Sequence, residues 1–176
     1  MDLEWVLDSV LTLPSGRRLK IHSESDLADA AAEAQAADEA YMTEDLGGWT
    51  GGSTWAAGEV LARLLMTPPW AERVKGARVI DLGCGTGLAG VVAAALGAER
   101  VSLTDRVLAV AEQNLRANFS AEERERYTAS RLSWGDDAAI AALVAEETGG
   151  AGFDLILTAD TIYAGSPEAL LAETVA

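Results

Sequence analysis

Two observations predict an α/β fold built on a doubly wound parallel sheet. From Arg78 onward, short apolar runs alternate with helical patterns. A glycine-rich turn also joins the first of those strands to the first of those helices. Arg78–Leu82 reads as a strand, and Leu88–Leu96 as a helix that Gly97 can end. Arg100–Thr104 is the second strand. Val107–Asn118 is a helix with Leu108, Ala111 and Leu115 along one side. Tyr127–Ser133 is a weaker third strand. Asp136–Glu147 is a helix with two acids at its favourable end. Phe153–Thr158 is a fourth strand, and Ser166-Pro167 opens a last helix. Right-handed crossovers and a switch point beside strand one give the spatial order three-two-one-four.

The region before Arg78 is read element by element. Residues 5–22 suggest two short strands around the turn Pro14-Ser15-Gly16. Residues 26–40 are Ala-rich and acidic, with almost no large apolar side chain, and predict a loosely held surface segment. Gly47-Gly48-Trp49-Thr50-Gly51-Gly52 is a loop holding one aromatic. Ser53 or Thr54 is then placed to cap a helix that buries Val60, Leu61, Leu64 and Leu65 and stops at Pro68-Pro69. Two regions are expected: an N-terminal hairpin and acidic segment over 1–46, and a cofactor-binding domain over 47–176.

The bulk properties narrow the function classes. A length of 176 residues with 49% hydrophobic content suits one domain with a sizeable core. No apolar run reaches the length of a membrane span, and the acidic start Met1-Asp2-Leu3-Glu4 does not resemble a signal peptide. One cysteine, Cys84, cannot build a disulfide framework, which fits a reducing compartment. The expected location is the cytoplasm, with the nucleus left open. One cysteine and one histidine, His22, cannot make a zinc site, so no metal is expected. Thirteen basic residues face 28 acidic ones, a net charge of −15, and Lys and Arg are absent from Ile21 to Ala62. That field repels nucleic acid and attracts a basic partner, or else serves solubility alone.

The strongest chemical signal is Val79-Ile80-Asp81-Leu82-Gly83-Cys84-Gly85-Thr86-Gly87, set between a strand and a helix. Glycines there let the backbone turn sharply and a ligand approach closely. Asp105 ends the next strand, 20 residues after Gly85, where an acid accepts hydrogen bonds from ribose hydroxyls. Together they indicate a cofactor containing adenosine. A dinucleotide loop would place glycine at position 88, where this chain has Leu88. Asp81 would also repel a pyrophosphate. S-adenosylmethionine carries an ammonium and a sulfonium and no phosphate, so an acid beside the loop favours it. Cys84 reads as a small residue packed under the glycines, since no partner for a nucleophile is nearby in sequence.

Further motifs recur in a fixed order. Trp55-Ala56-Ala57 is followed by Asp81 to Gly90, Leu103-Thr104-Asp105, Asn114 to Asn118, Leu132-Ser133-Trp134-Gly135, and Phe153 to Tyr163. From about Trp49 to Tyr163 the chain resembles the seven-strand protein-lysine methyltransferases marked by an Asp/Glu-x-x-Tyr motif. The resemblance implies a Rossmann-like sheet of that type and transfer of a methyl group from S-adenosylmethionine to a protein lysine. It implies that Trp55 lines the cofactor pocket. Gly83, Gly85, Thr86 and Gly87 would wrap the methionine part, Asp105 hold the ribose, Trp134 sit beside the adenine, and Ala159 close the pocket. Asp160 and Tyr163 match the Asp-x-x-Tyr motif at the substrate mouth, where the pair would orient the amine. A basic, lysine-containing protein is the expected substrate.

One departure from the pattern stands out. A seven-strand methyltransferase would continue with three more strands, and the sequence stops at Ala176. A fragment, a truncated product and a subunit completed by another chain are all consistent with that. The exposed fourth strand would then favour self-association or a covering partner. Two other readings stay open: a non-catalytic methyltransferase-like assembly module, and a small-molecule N-methyltransferase.

Overall fold

The computed structural model describes residues 10–23, 51–162 and 168–176. The acidic segment 26–40, Trp49, Tyr163 and the Ser166-Pro167 pair lie outside them. Strands β1 (Val10–Thr12) and β2 (Arg18–Lys20) form an antiparallel hairpin in which Leu11 faces Leu19. Gly16, at φ +82°, supplies the left-handed step of the turn expected at Pro14-Ser15-Gly16. Leu11, Leu13, Leu19 and Ile21 of this hairpin belong to the same apolar core as the main sheet.

That sheet contains β3 (Arg78–Leu82), β4 (Arg100–Asp105), β5 (Tyr127–Arg131) and β6 (Leu155–Leu157). All neighbours are parallel and the order is β5-β4-β3-β6, the order the sequence predicts. The helices are α1 (Ala56–Leu65), α2 (Trp70–Val74), α3 (Leu88–Ala95), α4 (Ala109–Asn118), α5 (Asp137–Thr148) and α6 (Glu168–Val175). Strand β6 is shorter than the expected 153–158. The short helix α2 was not anticipated, because five residues are too few to show a helical period.

One face of the sheet, with Val79, Val101 and Leu103, packs on α3, whose residues Leu88 to Ala94 are all buried. Helix α1 covers α3 from outside. The other face, with Ile80 and Leu82, packs on Leu132, Leu143 and Leu171. Each fully buried Val or Leu contributes about 1.5–3 kcal/mol relative to exposure.

The expected burial of α1 is corrected by this packing. Val60 and Leu64 are exposed, whereas Glu59, Ala62 and Leu65 point inward. After Leu88, helix α3 is built of Ala, Gly and Val, and the small Ala62 lets α1 approach it closely. Arg63 Nε donates to the Glu59 carboxylate at 2.8 Å, which makes the inward turn of Glu59 tolerable. Neither Ser53 nor Thr54 caps α1: Trp55 is the N-cap residue, and the helix has no side-chain capping hydrogen bond there. In α4 the buried set is Val110, Ala111, Asn114 and Leu115, with Leu108 only half-buried just ahead of the helix.

Candidate functional site

Loops from four directions meet at the carboxyl end of β3, the point where crossovers leave the sheet to opposite faces. The Gly83–Gly87 turn lies at their centre. Gly83, Gly85 and Gly87 all have positive φ, at +64°, +54° and +76°. A Cβ on Gly83 would sit 3.0 Å from Thr161 Cγ2 and 3.1 Å from Trp134 Cζ2. One on Gly85 would sit 3.1 Å from the Gly51 carbonyl oxygen. The loops after β5 and β6 and the segment before α1 therefore all close on this turn, and only glycine leaves the backbone approachable there.

Asp105 ends β4 beside the turn. Its Oδ2 accepts from Gly85 N–H at 2.8 Å and its Oδ1 from Arg106 N–H at 2.7 Å. Burial raises its pKa above the ordinary carboxylate value, and these backbone donors partly offset the rise. Each oxygen retains acceptor capacity for a ribose hydroxyl. Thr86 is buried, and its hydroxyl pairs with that of Thr54 at 2.9 Å. Thr54, expected as a helix cap, thus fastens the pre-helix segment to the glycine turn instead.

Asp81 is 3% exposed, and its Oδ2 accepts from Gly90 N–H at 3.0 Å. It holds the first turn of α3 from beneath. Burial, reinforced by the charge of Asp105, pushes its pKa up to about 7. Cys84 is lifted well above the ordinary thiol range by burial, in keeping with a packing role. Trp134 is half-buried against the second core cluster while its ring edge reaches Gly83. Trp55 is 53% exposed, and Ala159 is half-buried after β6.

Asp160 is exposed and, at φ +53°, is the one non-glycine residue with positive φ among those described. Its Oδ2 lies 3.4 Å from Ala57 N, in the first turn of α1. A carboxylate there faces the positive end of the helix. Tyr163 lies outside the described residues. Among those described, no group of three or more His, Cys, Asp or Glu is placed to hold a metal ion.

The sequence reading missed the role of Asn114, which is fully buried. Its Nδ2 donates to the Thr86 carbonyl at 2.8 Å and to the His22 carbonyl at 3.0 Å, and its Oδ1 accepts from His22 N–H at 2.7 Å. The signal was present: Asn114 falls one turn after Val110 and Ala111 on the inward face of α4, where a polar residue needs partners.

The residues fit the expected cofactor. The glycine turn forms a cradle that a Cβ would fill, an acid stands at the strand end, and an aromatic edge closes one side. Asp105 sets a carboxylate acceptor beside the cradle, suited to a ligand that brings hydroxyl donors.

Fold and cleft together define a Rossmann-like α/β protein. Within that class, the chain belongs to the lysine methyltransferase family, which matches residues 35–176. It is 37% identical over 111 residues to protein N-lysine methyltransferase METTL21A of Mus musculus, covering 62% of this chain and 46% of that protein. It is 35% identical over 102 residues to EEF1A lysine methyltransferase 3 of Xenopus tropicalis, covering 57% of this chain and 41% of that protein. It is 30% identical over 131 residues to protein N-terminal and lysine N-methyltransferase efm7 of Neurospora crassa, covering 69% and 46%. The chain spans less than half the length of these curated relatives.

Proposed function

We propose that this chain binds S-adenosylmethionine in the Gly83–Gly87 cradle and belongs to an enzyme that methylates a lysine side chain of a protein. The observation that carries the reading is the placement of Asp160. It is an exposed carboxylate in a left-handed conformation, three residues beyond β6 and next to Thr161, whose methyl group abuts the cradle at Gly83. Holding a non-glycine residue there costs on the order of 1 kcal/mol, a cost that functional sites often carry.

The cofactor supplies an electrophilic methyl group on a sulfonium. Asp105 holds the ribose hydroxyls, and the glycine backbone with Thr86 wraps the methionine part. Trp134 and Trp55 flank the ligand, and Ala159 closes the pocket. Asp81 acts by fixing the turn through its bond to Gly90 rather than by direct contact. Asp160 accepts a hydrogen bond from the incoming amine and aims its lone pair at the methyl group, a placement worth orders of magnitude in rate. A lysine ammonium cannot attack until it loses a proton, which solvent can take. Tyr163 is assigned beside the amine, where its ring would favour a nearby cation.

The net charge of −15 fits a basic protein substrate. Among the described residues, no helix is long and apolar enough to cross a membrane. The single cysteine, Cys84, fits a reducing compartment, which supports the cytoplasm with the nucleus left open. Incubation with labelled S-adenosylmethionine and a cell lysate tests the reading. A labelled protein band that disappears in Asp160→Ala, with cofactor affinity little changed, supports it. Binding without any transfer, in a chain extended to the length of its relatives, would favour a non-catalytic assembly module. Label found only in small molecules would favour the small-molecule reading.

A further inference from the structure

We infer that Asn114 is a positioning residue that ties the cofactor turn to the N-terminal hairpin, so that cofactor binding and hairpin docking strengthen each other. The inference rests on the assignment of the cofactor to the Gly83–Gly87 turn.

The carboxamide of Asn114 makes three hydrogen bonds from a fully buried position. Two of them take both backbone groups of His22, at 2.7 and 3.0 Å, as a neighbouring strand would. The third takes the carbonyl of Thr86, at 2.8 Å, inside the turn. One turn further along α4, Asn118 repeats the strand-like clasp on Lys20: its Oδ1 accepts from Lys20 N–H at 2.8 Å, and its Nδ2 donates to the Lys20 carbonyl at 2.7 Å. The same Nδ2 donates to the Asn114 carbonyl at 2.8 Å. The two amides therefore form a ladder from β2 to the glycine turn, and only its inner rung touches the turn.

The side-chain chemistry is specific. A neutral amide at 114 must accept once and donate twice, and no other side chain of that size does both. An aspartate there keeps the acceptor for His22 N–H but loses both donors and sets a charge against two carbonyl oxygens. The Thr86 carbonyl is then left buried and unpaired, which frees the turn that the cofactor requires in one conformation. Because coupling between two sites is reciprocal, a ligand that fixes Thr86 also fixes Asn114, and through it His22.

Hydrogen exchange on the full 176-residue chain, with and without S-adenosylhomocysteine, reads this directly, alongside calorimetric affinity. The expected result for the wild type is slower exchange of the His22 and Lys20 amides on ligand addition. Asn114→Asp is expected to bind about tenfold or more weakly and to lose that ligand-dependent slowing. Asn118→Asp, which keeps the Thr86 rung and the acceptor for Lys20 N–H but loses both donors of Nδ2, should loosen the clasp on the Lys20 carbonyl while leaving affinity within about twofold of wild type. Ligand binding to the wild type with hairpin exchange unchanged overturns the coupling, whether or not Asn114→Asp folds. An affinity loss in Asn118→Asp equal to that in Asn114→Asp overturns the special role of the inner rung. Absence of any ligand binding to the wild type overturns the cofactor reading itself, and this inference with it.

Discussion

Asp81 accepts a hydrogen bond from the backbone N–H of Gly90 at 3.0 Å, across the turn that joins β3 to α3. Gly90 supplies one of the first N–H groups of α3, which have no partner within the helix. The helix dipole favours negative charge at that point, yet burial opposes it more strongly, and the carboxyl is held at about pKa 7.

A pH dependence of stability follows. The folded pKa of Asp81 lies above its value of about 3.8 in an open chain, so the folded state binds the proton more tightly. Stability is therefore expected to fall as pH rises from about 4 to about 7, and to level off above that. Asp105, also raised by burial, acts in the same direction. Asp81→Asn keeps an acceptor for Gly90 without a titrating charge. Its stability relative to wild type should grow between pH 5 and pH 8, by as much as a few kcal/mol. Urea titrations across that range check this, and parallel profiles for the two proteins would contradict it.

Asp105→Ala is expected to weaken S-adenosylhomocysteine binding by roughly 1–3 kcal/mol. The substitution removes the ribose acceptor and also releases Gly85 N–H, which Asp105 holds at 2.8 Å. Calorimetry on wild type and variant measures the loss, and equal affinities would remove Asp105 from the site.

The strand order was legible because short strands alternate with helical patterns and right-handed crossovers leave few orders, and the glycine turn because a left-handed turn demands glycine. What escaped was set by approach between elements. Val60 and Leu64 look like a core stripe, but the small Ala62 is what α3 accepts at close range. Thr54 has the chemistry of a cap and uses it on Thr86, which lies 32 residues away in sequence. Asn114 shows only that a polar group sits on an inward face. Its three partners lie on elements that no local pattern joins. Of the candidate site, the cradle and its acid were readable from spacing, whereas Trp55 and Trp134 entered through resemblance alone.

Strand β6 pairs only with β3 among the described residues and carries Ile156 at 45% exposure. An open edge with an apolar side chain invites pairing with another copy. A chain of residues 1–176 is expected to self-associate, and Ile156→Lys to shift it toward monomer. Sedimentation velocity at several concentrations decides this: a monodisperse wild-type monomer would show that the edge is already protected.

Gly90→Ala offers the sharpest test of the packing beneath the site. In an ordinary helix this exchange gains up to about 1 kcal/mol from backbone entropy and propensity. Here a Cβ would land on Leu103 Cδ2, with Asp81 Oδ2 at 3.2 Å and Val101 Cγ1 at 3.3 Å. Leu103 and Val101 are both fully buried on β4, so neither has room to yield. Overpacking of this kind costs typically about 1–3 kcal/mol, enough to outweigh the propensity gain. The added methyl would also push α3 off the sheet and lengthen the bond from Gly90 to Asp81. The variant is therefore expected to melt roughly 5 °C or more below wild type and to bind S-adenosylhomocysteine more weakly, because the glycine turn is anchored at that helix end. A melting temperature at or above that of wild type would mean that α3 sits farther from β4 than the geometry around Gly90 requires.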